Sequence, residues 1–128
     1  MIRNFFLTLI IFLGIDFVWL GLIAKNFYDK VFSPFSRTLN LPAAFLSYFL
    51  IALGIVLFVL PKVPENSPVF GLVWGGIFGL IVYGVYDLVN LATLADWSIK
   101  MVIVDMLWGV FVCGFTSFLV AFILTRLK

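Results

Sequence analysis

The sequence predicts an all-α membrane protein: a four-helix transmembrane bundle with both termini on the same side. Three observations lead there. Of 128 residues, 65% are hydrophobic and 11% are charged, against about 25% charged in a soluble domain. A water-soluble fold of this length has no interior large enough to hide so much apolar surface. Four apolar runs each reach the roughly 20 residues that a helix needs to cross a bilayer. The connectors between them are short, apart from the first. A single membrane domain, residues 1–128, follows.

The first span covers about residues 5–24. Its start, MIRNFFLTLIIFLG, resembles a secretory signal with Arg3 as the basic end. No small-x-small cleavage site follows, and the apolar run continues to Ala24, so it reads as a retained helix. The second span covers about 41–60, with Pro42 suited to its first turn. PKVPENSP then makes a proline-rich turn. The third span covers about 69–92, TLADWSIK is the next connector, and the fourth covers about 101–125, closed by Arg126 and Lys128. The long loop, 25–40, mixes Phe27, Tyr28, Val31, Phe32 and Phe35 with Lys25, Lys30 and Arg37. That blend suits a segment lying at the headgroup level.

Charge does not orient the bundle. The side with the termini holds Arg3, Lys62, Arg126 and Lys128, and the other holds Lys25, Lys30, Arg37 and Lys100. The counts balance, so there is no positive-inside bias. The α-amino group weighs slightly toward cytoplasmic termini, and dual topology is compatible with the sequence. The net charge of +2, with no basic run, argues against a nucleic-acid partner. With no histidine and the lone Cys113, the usual metal and haem ligands are missing and no intrachain disulfide can form. No metal-ligand constellation is present, and the sequence identifies no cofactor.

Polar residues in the spans gather on the long-loop side. Asp16 lies about eight residues from the end of the first span, Asp87 about five from the end of the third, and Asp105 about four into the fourth. Ser47 and Tyr48 lie six or seven residues into the second. At 1.5 Å per residue these all fall in one half of the bilayer; the other half has no carboxylate or amide within the spans. Tyr83, Asp87 and Asn90 are spaced i, i+4, i+7 and share a stripe. Asp16 and Trp19 form a D-x-x-W pair that Asp105 and Trp108 repeat. A charge near a helix centre costs at least about 2.5 kcal/mol on insertion scales, so the three carboxylates are expected to face one another or water. Two like charges in a dry pocket do not both ionise readily, so at least one is expected to carry its proton. Asp16, Asp87 and Asp105 are the catalytic candidates. Trp19, Ser47, Tyr48, Tyr83, Tyr86, Asn90, Trp97, Lys100 and Trp108 are the binding candidates. The same residues would also serve as polar glue between helices. Asp96 and Lys100, i and i+4, read as an exposed interfacial pair. Gly71, Gly75 and Gly79 form a G-x-x-x-G-x-x-x-G stripe in the polar-free half, a packing face within the bundle or between copies.

IDFVWLGLIAKNFY, YGVYDLVNLATLADW and VDMLWG resemble the blocks of a family of small four-span bacterial membrane proteins known only as a domain of unknown function. The family pattern is similar to D-x-x-W-L-G, Y-D-L-x-N-L-A-T-L-x-x-W and D-x-x-W-G. Here these fall on Asp16, Trp19, Leu20 and Gly21; on Tyr86, Asp87, Leu88, Asn90, Leu91, Ala92, Thr93, Leu94 and Trp97; and on Asp105, Trp108 and Gly109. Val85 and Val89 stand where the pattern has threonines, and Ser98 where it has proline, which weakens any role for a hydroxyl ladder beside Asp87. The resemblance implies a bacterial cytoplasmic membrane and sharpens the site without supplying an activity.

Three functions remain open on the sequence. One is a pocket in one leaflet that binds a lipid or small amphiphile, with the carboxylates available as acid and base or as oxygen ligands for a divalent cation. Another is a small proton-coupled transporter working as a dimer, against which nothing polar continues through the other half. The third is an accessory subunit of a membrane complex. Membrane lipids are the expected partners, and a homo-oligomer through the third span is a further expectation.

Overall fold

A computed structural model describes residues 1–128. The chain is all helical, with four spans at Ile2–Ile23, Leu41–Lys62, Phe70–Thr93 and Ile99–Arg126. In chain order the helices are α1 (Ile2–Val18), α2 (Lys25–Val31), α3 (Leu41–Gly54), α4 (Phe70–Thr93) and α5 (Ile99–Arg126). The first span ends in a π-helical turn, Trp19–Ile23, directly after Asp16. The second continues past α3 through another, Ile55–Val59, and a 3₁₀ turn at Leu60–Lys62. The π-helical turns widen the helix locally and recur at functional sites, whereas the 3₁₀ turn tightens it.

Local chemistry sets the helix starts. Asn40 caps α3, its Oδ1 accepting from Ala43 N–H at 3.1 Å, and Pro42 occupies the first turn, where its missing N–H costs nothing. Ser98 caps α5, accepting from Met101 N–H at 3.3 Å. This cap corrects the reading of Asp96 and Lys100 as a helical pair. Helix α5 begins only at Ile99, so Asp96 lies in the preceding turn, and Lys100 instead places its ammonium 5.8 Å from the Phe27 ring centre.

The bundle is inside-out relative to a soluble fold. Only 30 of 128 residues are buried, and large apolar side chains such as Ile10, Phe17, Phe58 and Leu107 point outward. Lipid is the solvent that such a surface requires. Both ends of the bundle carry cations over aromatic rings: Lys62 on Trp74 at 4.8 Å and Arg126 on Phe122 at 5.1 Å at one, Arg37 on Phe32 at 5.0 Å at the other. That is the chemistry of a membrane–water boundary.

Helices α4 and α5 form the most extensive pair, and the glycine stripe explains why. Gly71, Gly75 and Gly79 are buried and face α5. A Cβ on Gly75 would lie 2.5 Å from the Cys113 carbonyl oxygen and from Ser117 Oγ, and one on Gly71 would lie 2.7 Å from Phe118 N. Gly79 abuts the carbonyl of Gly109. The stripe is thus covered within the chain by α5. The second span behaves differently. Helix α3 packs on α1, whereas α4 meets the second span mainly through Ile55–Lys62. The two spans touch where Gly54 receives the Phe78 ring and part beyond it.

The C-terminal Lys128 forms an ion pair with Glu65 in the turn between α3 and α4, which ties the C-terminus to that side. Single cysteines at Ile2, Glu65 and Lys128 are expected to react with an impermeant thiol reagent from one side, and one at Asp29 from the other. Labelling of Ile2→Cys and Lys128→Cys from opposite sides would overturn the topology.

Candidate functional site

Asp16 and Asp105, far apart in sequence, face the same cavity in the long-loop half of the bundle. Their supports are crossed between the two D-x-x-W pairs. Trp108, from the second pair, donates its indole N–H to Asp16 Oδ1 at 2.9 Å. Trp19, from the first, donates to the Tyr28 hydroxyl at 3.2 Å, and Tyr28 donates onward to Asp105 Oδ1 at 2.8 Å. The two indoles stack, with centres 4.4 Å apart and planes within 8°. Tyr48 completes Asp16 by donating to Oδ2 at 2.6 Å. Both Asp16 oxygens are therefore engaged, whereas Asp105 has one oxygen bonded and lines the cavity.

Asp87 lies beside Asp105 but not on the cavity wall. It is fully buried, and neither carboxyl oxygen has a hydrogen-bond partner. A buried carboxyl without a donor is costly to keep.

The cavity has a volume of about 640 Å³. Ser47, Leu50 and Ile51 on α3 face Val82, Tyr83 and Tyr86 on α4 across it. These are the stretches where the two spans have parted, and Leu50 and Tyr86 are both more than half exposed. The gap therefore faces lipid. Towards the other leaflet the bundle is closed by Phe12, Ile55, Val59, Val112 and Cys113.

Helix α2 covers the loop end. Lys25, Tyr28, Asp29 and Phe32, spaced i, i+3, i+4, i+7, turn one face to the cavity. Tyr28 is the residue that sequence reasoning placed only among the interfacial aromatics. Its i, i+3, i+4, i+7 companions were the available signal. Burial pushes the Tyr28 phenol above its ordinary pKa, the Trp19 N–H pulls it partly back, and the neighbouring Asp105 carboxyl raises it again. The hydroxyl thus stays a donor through neutral pH. Above pH of about 10 an undocked tyrosine loses its proton while the docked one keeps it, so docking of α2 weakens as pH rises past that point and is unaffected by this group below it. Tyr28→Phe should speed amide exchange in Lys25–Val31 several-fold. Unchanged exchange would show that the latch holds nothing.

Other sequence-derived candidates sit elsewhere. Tyr48 reaches Asp16 from the far side of α3, and the Ser47 hydroxyl is taken by the Ala44 carbonyl at 2.7 Å. Trp97 is buried among Phe32, Phe35 and Tyr86, off the cavity wall, with its N–H unpaired. Asn90, one turn beyond Tyr86, is half-buried and lies outside the cavity. Lys100 lies over Phe27 rather than at the cavity. Asn90 and Trp97 lie past the last cavity-lining residue of α4, and Lys100 follows the Ser98 cap at the start of α5.

Residues 1–122 match the family described as "Predicted membrane protein (DUF2177)". The chain belongs to that family. The match takes in all four residues of the crossed D-x-x-W pairs, Asp87 and Tyr28, so the whole site of this DUF2177 protein lies within the family region. No curated protein and no solved structure matches the chain. The family description adds membrane residence and assigns no reaction.

Proposed function

We propose that this protein binds a membrane lipid or small amphiphile in the cavity between α3 and α4, within the cytoplasmic membrane of a bacterium. The observation that carries the reading is the joining of a polar end to a lateral gap. Asp105, Tyr28 and Tyr86 offer polar atoms at one end, while Leu20, Leu50, Ile51 and Val82 offer apolar wall beside the parted helices. A ligand with a polar head and an apolar tail matches both. The closed core beneath Asp16 favours a pocket over a path through the membrane. Asp105 is the carboxyl with an oxygen free for a ligand, and Asp16 holds Trp108, whose indole forms part of the wall.

Mass spectrometry of molecules released from purified protein tests this reading. Wild type is expected to carry a lipid or amphiphile that falls by about tenfold or more in Asp105→Asn, the effect of losing a charge-assisted hydrogen bond. Asp96→Asn, in an exposed turn, serves as the control. Identical lipid content in wild type and Asp105→Asn would count against the cavity as the binding site.

A further inference from the structure

We propose that the cavity selects an amphiphile whose headgroup carries a positively charged amine. This rests on the reading of the cavity as an amphiphile site and specifies its headgroup. Asp105 lines the cavity with one oxygen unbonded: Oδ1 receives the Tyr28 hydroxyl, and Oδ2 has no donor from the chain. Asp87 is buried behind it, off the cavity wall. An ammonium supplies up to three N–H donors and a positive charge at one point.

The walls around Asp105 suit the same group. Tyr28, Tyr83, Tyr86 and Trp108 all line the cavity with it. Aromatic faces beside a carboxylate form the environment that retains organic ammonium groups, because ring quadrupoles attract a cation once water is removed. A metal ion fits less well. No third acidic, histidine or cysteine side chain joins the pair to form a metal-binding group, and hard cations favour six or more oxygens.

The cations near the cavity do not contradict this. Arg37 is 3.5 Å from Asp29 and stacks over Phe32, so its charge is partnered at the rim. Lys25, the first residue of α2, is exposed and lines the cavity at its loop end. Basic residues mark the mouth, and the interior is acidic and aromatic.

The test compares three probes with one dodecyl chain and different heads: dodecylammonium, dodecanol and dodecyl phosphate. Each is titrated against the purified full-length protein and read by native mass spectrometry. Dodecylammonium is expected to bind about tenfold tighter than dodecanol, with dodecyl phosphate weakest. Asp105→Asn should reduce the ammonium preference, and Asp96→Asn should leave it intact. Equal binding of the ammonium and the alcohol, or tighter binding of the phosphate, would overturn the headgroup assignment while leaving the amphiphile site standing. Binding of none of the three would overturn both. The wild-type ranking decides the matter even if a carboxyl variant fails to fold.

Discussion

Gly79→Leu is expected to cost about 3 kcal/mol of stability, the upper end of the usual range for overpacking. The reason is the identity of what stands in the way. A Cβ at Gly79 falls on the carbonyl of Gly109, which is backbone and has no rotamer to adopt. Relief requires α4 and α5 to move apart along the whole stripe, which also releases Gly75 from Cys113 and Gly71 from Ser117 and Phe118. Gly75→Leu should be nearly as damaging, since it meets both a carbonyl oxygen and the Ser117 side chain at 2.5 Å. Val73→Leu is the control: Val73 is more than half exposed to lipid, and such changes usually stay within about 0.5 kcal/mol. Thermal unfolding in detergent reads all three. Equal midpoints for Gly79→Leu and Val73→Leu would mean that the helices do not approach as described.

The second large effect is at Asp16. Replacing it by alanine strands two donors, the half-buried Tyr48 Oη and the buried Trp108 Nε1. Hydrogen bonds between membrane helices average about 0.6 kcal/mol and reach about 1.7, so the pair is expected to contribute about 1–3 kcal/mol. The indole should dominate, because a tyrosine hydroxyl can rotate towards another acceptor and a stacked indole N–H cannot. Asp16→Asn should rescue only partly: its single oxygen serves one donor, and its amide N–H₂ faces the other. A double-mutant cycle of Asp16→Ala with Trp108→Phe isolates the bond. Coupling of about 1 kcal/mol is expected. Additivity within about 0.5 kcal/mol would assign the Asp16–Trp108 contact no energetic role.

The spans were legible because hydropathy depends on composition over about 20 residues, and the four spans differ from the sequence reading by a few residues at their ends. The D-x-x-W repeat was legible as two matched pairs. The crossing was not, because spacing within a helix says nothing about which neighbour an indole reaches. Tyr28 was hidden by its context, since aromatics beside basic residues fit the headgroup layer equally well. Asp87 and Asn90 show the limit of the stripe argument. Both follow Tyr83 on one face, yet Asp87 is fully buried off the cavity wall and Asn90 lies outside the cavity. Trp97 belonged to a sequence block with the site residues and folded instead beneath α2.

The crossed supports of Asp16 also impose a schedule on biogenesis. Tyr48 lies 32 residues downstream and Trp108 lies 92 downstream. At ribosomal speed the second of these partners follows Asp16 by on the order of ten seconds. For that interval the nascent first span holds a carboxyl whose final setting has not yet been synthesised. Hairpin formation with the second span provides one donor, and only the last helix to leave the translocon provides the other. A ribosome stalled before Trp108 would hold an inserted chain whose first and second spans are joined at Asp16 while its aromatic wall is missing, so maturation of the first helix ends with synthesis of the fourth span.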